Sequence, residues 1–176
     1  MAACSLRAYE PEDARPLWDA VRESVAEAQP WLPWCHAQYS LAEAEEWIRS
    51  RVPAATEGRE YAFAVVGPGG RFLGGCGINQ INRVHGFGNL GYWVRTSATR
   101  QGVATEAVRQ AAAFAFGNTG LARLEIVCAL GNHASQRVAE RAGAVREGVL
   151  RRRLLLHGQH VDAVMYSLVR GDDAQR

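Results

Sequence analysis

The spacing of apolar positions changes along the chain and separates helical from strand-like segments. Near the start, apolar residues recur every three or four positions, the period of a helix with one buried face. After residue 60 they run in short blocks separated by glycine, as β-strands do. From residue 100 onward the two kinds of segment alternate. The pattern predicts a mixed-sheet α/β domain.

The first 60 residues predict one strand and two helices. Residues 6–9 form a short β-rich run, and Pro11 begins a helix. One face of that helix carries Ala14, Leu17, Trp18, Val21 and Val25. The segment 40–43 reads as a capping box, which opens a second helix. Pro53 is expected to limit that helix.

The middle of the chain predicts three strands. The first covers 61–66 and is stopped by the Gly-Pro-Gly-Gly turn at 67–70. The other two cover 72–81 and 90–94. Because the three are close together in sequence, we expect an antiparallel meander.

The last 75 residues predict two helices and three strands. They are a helix that begins near Val103, a strand over 124–130, a helix over 133–142 that Gly143 ends, and two strands over 145–156 and 161–168. The first of these strands is reached through a helix, which favours a parallel crossover from the strand at 90–94. The order β-α-α-β-β-β-α-β-α-β-β predicts a single domain over 1–170 and a short polar tail over 171–176.

Composition narrows the compartment to the cytoplasm. The chain has no run of eighteen apolar residues, which is the length needed to span a bilayer. Its start lacks the basic flank and the long apolar region of a secretory signal. The four cysteines form no CxxC pair and no zinc spacing, which favours reduced thiols; they are Cys4, Cys35, Cys76 and Cys128. The five histidines show no metal spacing either, so no metal is expected.

Charge gives little support for a nucleic-acid partner. The net charge is +2, and the only basic run is Arg151, Arg152 and Arg153. That run lies in a strand-like segment, where an exposed strand face is the simpler interpretation. We therefore expect neither a nucleic-acid partner nor a membrane partner.

The turn before the third helix has the composition of an anion site. The first N–H groups of a helix have no partner within it, and the helix dipole places partial positive charge there. Gly102 has no β-carbon and lets a bulky anion approach the backbone, while Arg100 adds a full charge. The turn therefore fits a pyrophosphate site, but an ordinary strand-to-helix turn relieved by Gly102 fits the same residues.

A second helix start follows about thirty residues later. Asn132 is a natural N-cap, and Ser135 lies in the first turn of that helix. The strand–turn–helix–strand–helix order places both helix starts at the same end of the sheet. Ligands of α/β proteins bind in such a crevice.

Taken together, these motifs resemble the GNAT superfamily of acetyl-CoA-dependent N-acetyltransferases, and within it the RimJ/RimL type. The resemblance covers nearly the whole chain. It is carried by WLPW (31–34), LGYWV (90–94), GVATEAV (102–108), NHASQRVAERAGA (132–144), REGVLR (146–151), Asp162 and YSL (166–168). It implies a mixed, mostly antiparallel sheet of six to seven strands flanked by about four helices.

The resemblance also implies a site for acetyl-CoA. Its cofactor-binding positions are Trp93, Val94, Arg95, Arg100, Gln101, Gly102, Val103, Ala104, Thr105, Asn132 and Ser135. One departure lies in the turn, where Thr99 replaces the usual Gln or Arg and Arg100 takes the place of a frequent extra glycine. Backbone amides do not depend on side-chain type, so the turn can still bind the diphosphate, and Arg100 can supply charge.

The resemblance assigns roles in direct attack of an amine on the thioester within a ternary complex. The oxyanion donor is the N–H of Val94 or of a neighbour, and Asn132 orients the thioester or the pantetheine amide. Ser135 is the candidate acid for the leaving thiolate, with a simple first-turn hydroxyl as the alternative. Glu125 is a candidate base acting through water, and an ion pair with a nearby arginine is its alternative.

The acceptor is open to more than one interpretation. Trp31 and Trp34 either floor the acceptor pocket or cover the core. An α-amine with a pKa of about 8 is neutral often enough at pH 7 to need little help from a base, which favours a protein N-terminus, as of a ribosomal protein, over lysine. A small amine such as a polyamine, amino acid or aminoglycoside is the alternative, and a non-catalytic acyl-CoA-binding module is a third. The resemblance implies a monomer or a homodimer.

Overall fold

Seven strands and four helices follow one another in the order that the sequence predicts. The computed structural model describes residues 4–171. Its strands are β1 (Ser5–Ala8), β2 (Tyr61–Val66), β3 (Phe72–Asn82), β4 (Phe87–Val94), β5 (Arg123–Ala129), β6 (Val145–Leu156) and β7 (Gln159–Val169). Its helices are α1 (Ala14–Ala28), α2 (Leu41–Thr56), α3 (Val103–Asn118) and α4 (His133–Arg141).

The strands form one mixed sheet in the order β1-β2-β3-β4-β5-β7-β6. Five of the six neighbouring pairs are antiparallel, and β4 with β5 is the parallel pair. The meander of β2, β3 and β4 and the parallel crossover through α3 are therefore confirmed.

Helices cover both faces of this sheet. On one face, the small side chains Ala107, Ala111 and Ala115 bring α3 close to buried Leu90 and Leu124. A helix can pack this closely on a sheet only if the residues on its sheet-facing side are small. On the other face, α1 and α2 bury Leu17, Val21, Ala44 and Ile48. The two helix pairs leave the middle of the sheet open where β4 and β5 separate.

The first predicted helix begins later than expected. Pro11–Asp13 is a single 3₁₀ turn, and α1 begins at Ala14. The Asp13 carboxylate accepts the N–H of Glu10 at 2.8 Å and binds the Arg7 guanidinium at 2.6 Å. These contacts hold the chain in the tighter turn before the α-helix starts.

The prediction that Pro53 limits the second helix is wrong. The helix α2 continues through Pro53 to Thr56. Ala54 is 2% exposed, so the last turn packs against the core. Tertiary packing overrides the local cost of a proline, which has no N–H to donate.

Three strands are longer than predicted. Strand β4 begins at Phe87, three residues before the predicted start, because glycines on either side hide its alternation. Strand β3 ends one residue later, and β7 extends over Gln159–Val169. Of the predicted tail, residues 172–176 lie outside the described part of the chain. No helix within residues 4–171 is long and apolar enough to cross a membrane.

Candidate active site

The site begins where β4 and β5 separate. Their pairing covers only Phe87 to Asn89 against Arg123 to Glu125. Beyond it, β4 stays paired with β3 as far as Val94, so its other edge faces a gap. Arg95 N–H donates to the Leu73 carbonyl on the β3 side at 2.8 Å. Because backbone groups of successive strand residues point to opposite edges, Val94 N–H points into the gap.

The turn before α3 is a row of unpaired amides. Among residues 4–171, no partner accepts the backbone N–H groups of residues 100–105. Arg100 and Gly102 both have positive φ, 59° and 80°, and this alternation curls the amides around a concave surface. Such a nest at a helix N-terminus suits an anion.

The start of α4 brings a hydroxyl cluster to the same gap. The Asn132 side chain accepts the N–H of Ser135 at 3.0 Å and caps the helix. Ser135 Oγ lies 3.0 Å from Tyr92 Oη of β4 and 3.2 Å from Cys128 Sγ of β5. Tyr92 Oη also lies 2.9 Å from the Ser135 carbonyl, to which it donates. Three elements therefore converge on the Ser135 side chain.

Burial keeps the protons on the partners of Ser135. It is the largest cause that raises the pKa of Tyr92. It also raises the pKa of Cys128 above its ordinary value. Both groups stay neutral near pH 7, so each can donate a hydrogen bond to Ser135.

Two cavities meet at β4. The strand-gap cleft, of about 530 Å³, runs from the turn at 98–105 between β4 and β5 to the start of α4. The aromatic cavity, of about 580 Å³, lies on the α1/α2 face and is lined by Tyr9, Trp34, Tyr39, Trp47, Tyr61 and Trp93. Leu32, Gly91, Tyr92 and Trp93 line both. A ligand in one cavity can therefore reach a ligand in the other over Gly91.

The two tryptophans of the first loop, which connects α1 to α2, lie on different sides of this junction. Trp31 lines the strand-gap cleft, with its ring over Gly131. Trp34 lines the aromatic cavity and makes an edge contact with Trp93, with ring centroids 5.5 Å apart. The structure thus separates two residues that the sequence places together.

Glu125 lies at the closed end of the gap, opposite Asn89. Its carboxylate accepts Arg123 Nε at 2.9 Å, and it lines neither cavity. Arg123 is also bound by both carboxylate oxygens of Glu147, at 2.6 Å each. Glu125 is therefore part of an ion-pair network on the face of the sheet opposite α3.

Most of the predicted cofactor positions line the strand-gap cleft. They are Trp93, Val94, Arg100, Gly102, Val103, Ala104, Thr105, Asn132 and Ser135. Arg95 does not line it, because its guanidinium binds Glu23 of α1 through Nε at 2.9 Å. Gln101 turns its amide away to the Ser97 carbonyl at 2.9 Å. These two side chains shape the turn from outside.

The free amides before α3 and the separation of β4 from β5 agree with the resemblance found in the sequence, and a family match identifies the chain. The acetyltransferase (GNAT) domain family matches residues 4–145. The chain belongs to the GNAT acetyltransferase family. Its relatives include YdaF of Bacillus subtilis, whose name places it among ribosomal N-acetyltransferases. The two are 29% identical over 171 residues, which is 94% of this chain and 91% of YdaF.

Two solved structures share the fold of this GNAT enzyme. One, from Vibrio cholerae, is described as a ribosomal-protein-serine acetyltransferase. It is 30% identical, with a TM-score of 0.80 over 96% of this chain and 95% of that one. The other is Mycobacterium smegmatis RimJ in complex with CoA-disulfide, which at 23% identity shows the same fold. Its TM-score is 0.90, over 97% of this chain and 84% of that one.

The strand-gap cleft of this GNAT enzyme fits acetyl-CoA, which the family uses. The amides of residues 100–105 are free to bind a diphosphate, and Arg100 stands beside them. The open edge of β4 offers main-chain groups to an extended amide-containing arm, as a sheet edge does to an added strand. Acetyl-CoA supplies the activated acetyl thioester.

Sequence reasoning missed three groups that line the two cavities of this GNAT enzyme. Tyr92 alternates with Leu90 and Val94 on the core side of β4, so its pattern indicates packing. Cys128 reads only as a reduced thiol. Tyr9 lies just after the first strand, and nothing local distinguishes it from a core aromatic residue.

Proposed function

We propose that this GNAT acetyltransferase transfers the acetyl group of acetyl-CoA to the N-terminal α-amine of a protein, of the ribosomal-protein class. The observation that carries the proposal is the junction of the strand-gap cleft and the aromatic cavity over Gly91. A donor held in the gap and an amine held in the aromatic cavity meet there directly. No protein-bound acetyl intermediate is needed.

The residues of the gap supply the electrostatic part of catalysis. Val94 N–H points into the gap and can donate to the oxygen that gains charge as the amine attacks. Ser135 Oγ, held between Tyr92 and Cys128, can donate a proton toward the departing sulfur. Asn132 fixes the position of Ser135 by capping α4.

The charges in the aromatic cavity favour a peptide over a polycation. Glu43 is engaged by the Ser40 N–H at 2.8 Å and by His36 at 3.2 Å. Glu60 is engaged by Arg51 at 2.6 Å. Because both carboxylates already have partners, a polyamine finds no free anion there, whereas an N-terminus needs only one neutral amine.

The contacts of Glu125 favour a structural role over that of a general base, because its carboxylate accepts a hydrogen bond from Arg123. An α-amine has a pKa of about 8, so roughly a tenth is neutral at pH 7 and can attack without a strong base. This again favours an N-terminus over a lysine side chain, whose pKa is about 10.4.

The test compares three acceptors with acetyl-CoA and the whole protein. They are a serine- or alanine-initiated peptide with one internal lysine, the same peptide with its N-terminus blocked, and spermidine. Mass spectrometry locates the acetyl group. All 20 basic residues of the enzyme are arginine, so no lysine of its own gives background. We expect acetylation of the first peptide at its α-amine; transfer to lysine or to spermidine alone overturns the proposal.

A further inference from the structure

Tyr9 carries a buried hydroxyl with no partner. The residue is 7% exposed, and its Oη makes no hydrogen bond within residues 4–171. Its ring is fixed by an edge contact with Trp47, with centroids 4.7 Å apart. A buried polar group without a partner destabilises the free protein, so its retention calls for an explanation. Tyr9 lines the aromatic cavity, where a ligand can provide the partner.

Trp93 places a second donor beside the first. The point that a β-carbon on Gly75 would occupy lies 2.6 Å from Tyr9 Oη and 2.8 Å from Trp93 Nε1. That indole N–H makes no hydrogen bond to any residue of the described chain, although Trp93, unlike Tyr9, is only partly buried. The two donors therefore lie close together over the backbone of Gly75, near enough to reach one acceptor atom.

Glycines keep the space beside these donors open. Gly75 pairs with Trp93 across the β3/β4 ladder, and Gly77 pairs with Gly91. The floor from the gap to Tyr9 therefore consists of backbone at Gly91, Gly77 and Gly75. Any side chain at Gly75 would collide with both donors.

Both donors are in the protonated state near neutral pH. Burial raises the pKa of Tyr9 far above its ordinary value, and an indole N–H does not titrate. A group that satisfies both must bring lone pairs. A carbonyl oxygen has two, whereas the ammonium groups of a polyamine bring only more donors.

We propose that Tyr9 Oη and Trp93 Nε1 donate to one carbonyl oxygen of the acceptor, next to the amine that is acetylated, and thereby select amines attached to a peptide group. The inference rests on the proposed function and names the residues that enforce it. A site built around unpaired donors rejects ligands that leave them unpaired.

The experiment measures two forms of the enzyme, each with two forms of the substrate. Tyr9→Phe and the wild-type enzyme are each assayed with a free N-terminal peptide and with the same peptide carrying a thioamide at its first carbonyl. Sulfur accepts hydrogen bonds poorly. We expect Tyr9→Phe to raise KM for the normal peptide about 5- to 10-fold, with KM for acetyl-CoA unchanged. The thioamide should cost the wild-type enzyme more than it costs Tyr9→Phe.

Tyr166→Phe is the matched control. Tyr166 is fully buried, lines neither cavity and donates to Glu140 at 2.9 Å. Its variant should lose stability and keep the peptide KM. Tyr9→Phe should do the reverse, with an unchanged or higher Tm, because its hydroxyl bonds to nothing in the free protein.

Two failures can be told apart. If the wild-type enzyme acetylates peptides, and the effects of Tyr9→Phe and the thioamide are absent or simply additive, this inference is overturned and the proposed function stands. If the wild-type enzyme acetylates only amines without a neighbouring carbonyl, the proposed function itself fails, and the inference with it, before any variant is compared.

Discussion

Tyr92 Oη lies 3.0 Å from Ser135 Oγ, and this contact joins β4 to the first turn of α4 across the strand-gap cleft. It gives the Ser135 hydroxyl a fixed direction and a protonated neighbour. Because Tyr92 gives its one proton to the Ser135 carbonyl at 2.9 Å, it orients the Ser135 hydroxyl as a hydrogen-bond acceptor and is not a source of protons for it. In the mechanism that we propose, Tyr92 therefore positions the Ser135 hydroxyl, and Ser135 donates the proton to the departing thiolate of CoA.

Ser135→Ala should lower kcat about 100-fold, in the range that general acids contribute. Acetyl-CoA affinity should change little, because the turn at residues 100–105, which we propose binds the diphosphate, is unchanged. Tyr92→Phe should lower kcat about 10-fold, since Ser135 itself remains. Stopped assays of product by mass spectrometry give kcat, and calorimetry gives the affinity.

The double variant provides the control for that prediction. Residues that act as a unit have effects that do not add. Tyr92→Phe combined with Ser135→Ala should therefore resemble Ser135→Ala alone. A kcat near that of the wild type for Ser135→Ala would remove the acid role from this residue.

Gly102→Glu should abolish acetyl-CoA binding. It adds bulk and negative charge to the nest of free amides, and Gly102 has a φ of 80°, which disfavours any side chain. Gly117→Glu, at an exposed position of the same helix with open space around it, is the matched control and should bind normally. Isothermal titration with acetyl-CoA distinguishes them; equal affinities for the two variants would contradict the assignment of the turn.

Arg100→Gly should weaken acetyl-CoA binding while it leaves stability unchanged or raises it by up to about 1 kcal/mol. Arg100 has a φ of 59°, a left-handed conformation that costs energy for an arginine and none for a glycine. The lost charge should raise Kd about 10-fold at low salt.

Salt and a lysine variant separate charge from conformation at Arg100. Arg100→Lys keeps the charge and should keep most of the affinity. The Kd difference between the wild type and Arg100→Gly should shrink at 1 M salt, where charges are screened beyond about 3 Å. A difference that is independent of salt would point to backbone geometry instead.

The protein should lose stability in acid through Glu23. Hydrogen bonds from Arg95 lower the pKa of Glu23 to about 2; burial opposes this shift, and the contacts with Ser97 add to it. This carboxylate therefore stabilises the fold above its unfolded pKa of about 4.3, and the contribution disappears as pH falls toward 2. After allowance for solvent screening, Glu23→Gln should remove about 1 kcal/mol of unfolding free energy at pH 7 and about half as much at pH 3.

Urea unfolding at both pH values measures this difference. Glu46→Gln, an exposed carboxylate paired with Arg49 on α2, is the control and should have little effect at either pH. If both variants had the same pH dependence, Glu23 would not be the residue that responds.

The local parts of the site could be predicted from the sequence, and the parts that depend on strand register could not. Gly102 and Asn132 act on the first turn of their own helices, so their positions follow from neighbouring residues. Tyr9, Gly75 and Trp93 lie far apart in the chain and meet only through the pairing of β3 with β4 and the packing of the first loop.

Pro53 and Phe87 illustrate the same boundary between local and tertiary information. Proline signals the end of a helix, but the burial of Ala54 keeps that turn helical. The glycines around Phe87 conceal a strand that pairing with Arg123 stabilises. In each case a contact distant in sequence decides the outcome.

The glycine floor of the aromatic cavity also limits how this enzyme can change. Gly75, Gly77 and Gly91 already present the least possible bulk, so every substitution there makes the chamber smaller. If the cavity holds the acceptor as we propose, a larger acceptor requires changes in the aromatic side chains that line its walls. Substitutions in the walls can therefore enlarge or reduce the cavity, whereas substitutions at the three glycines can only reduce it.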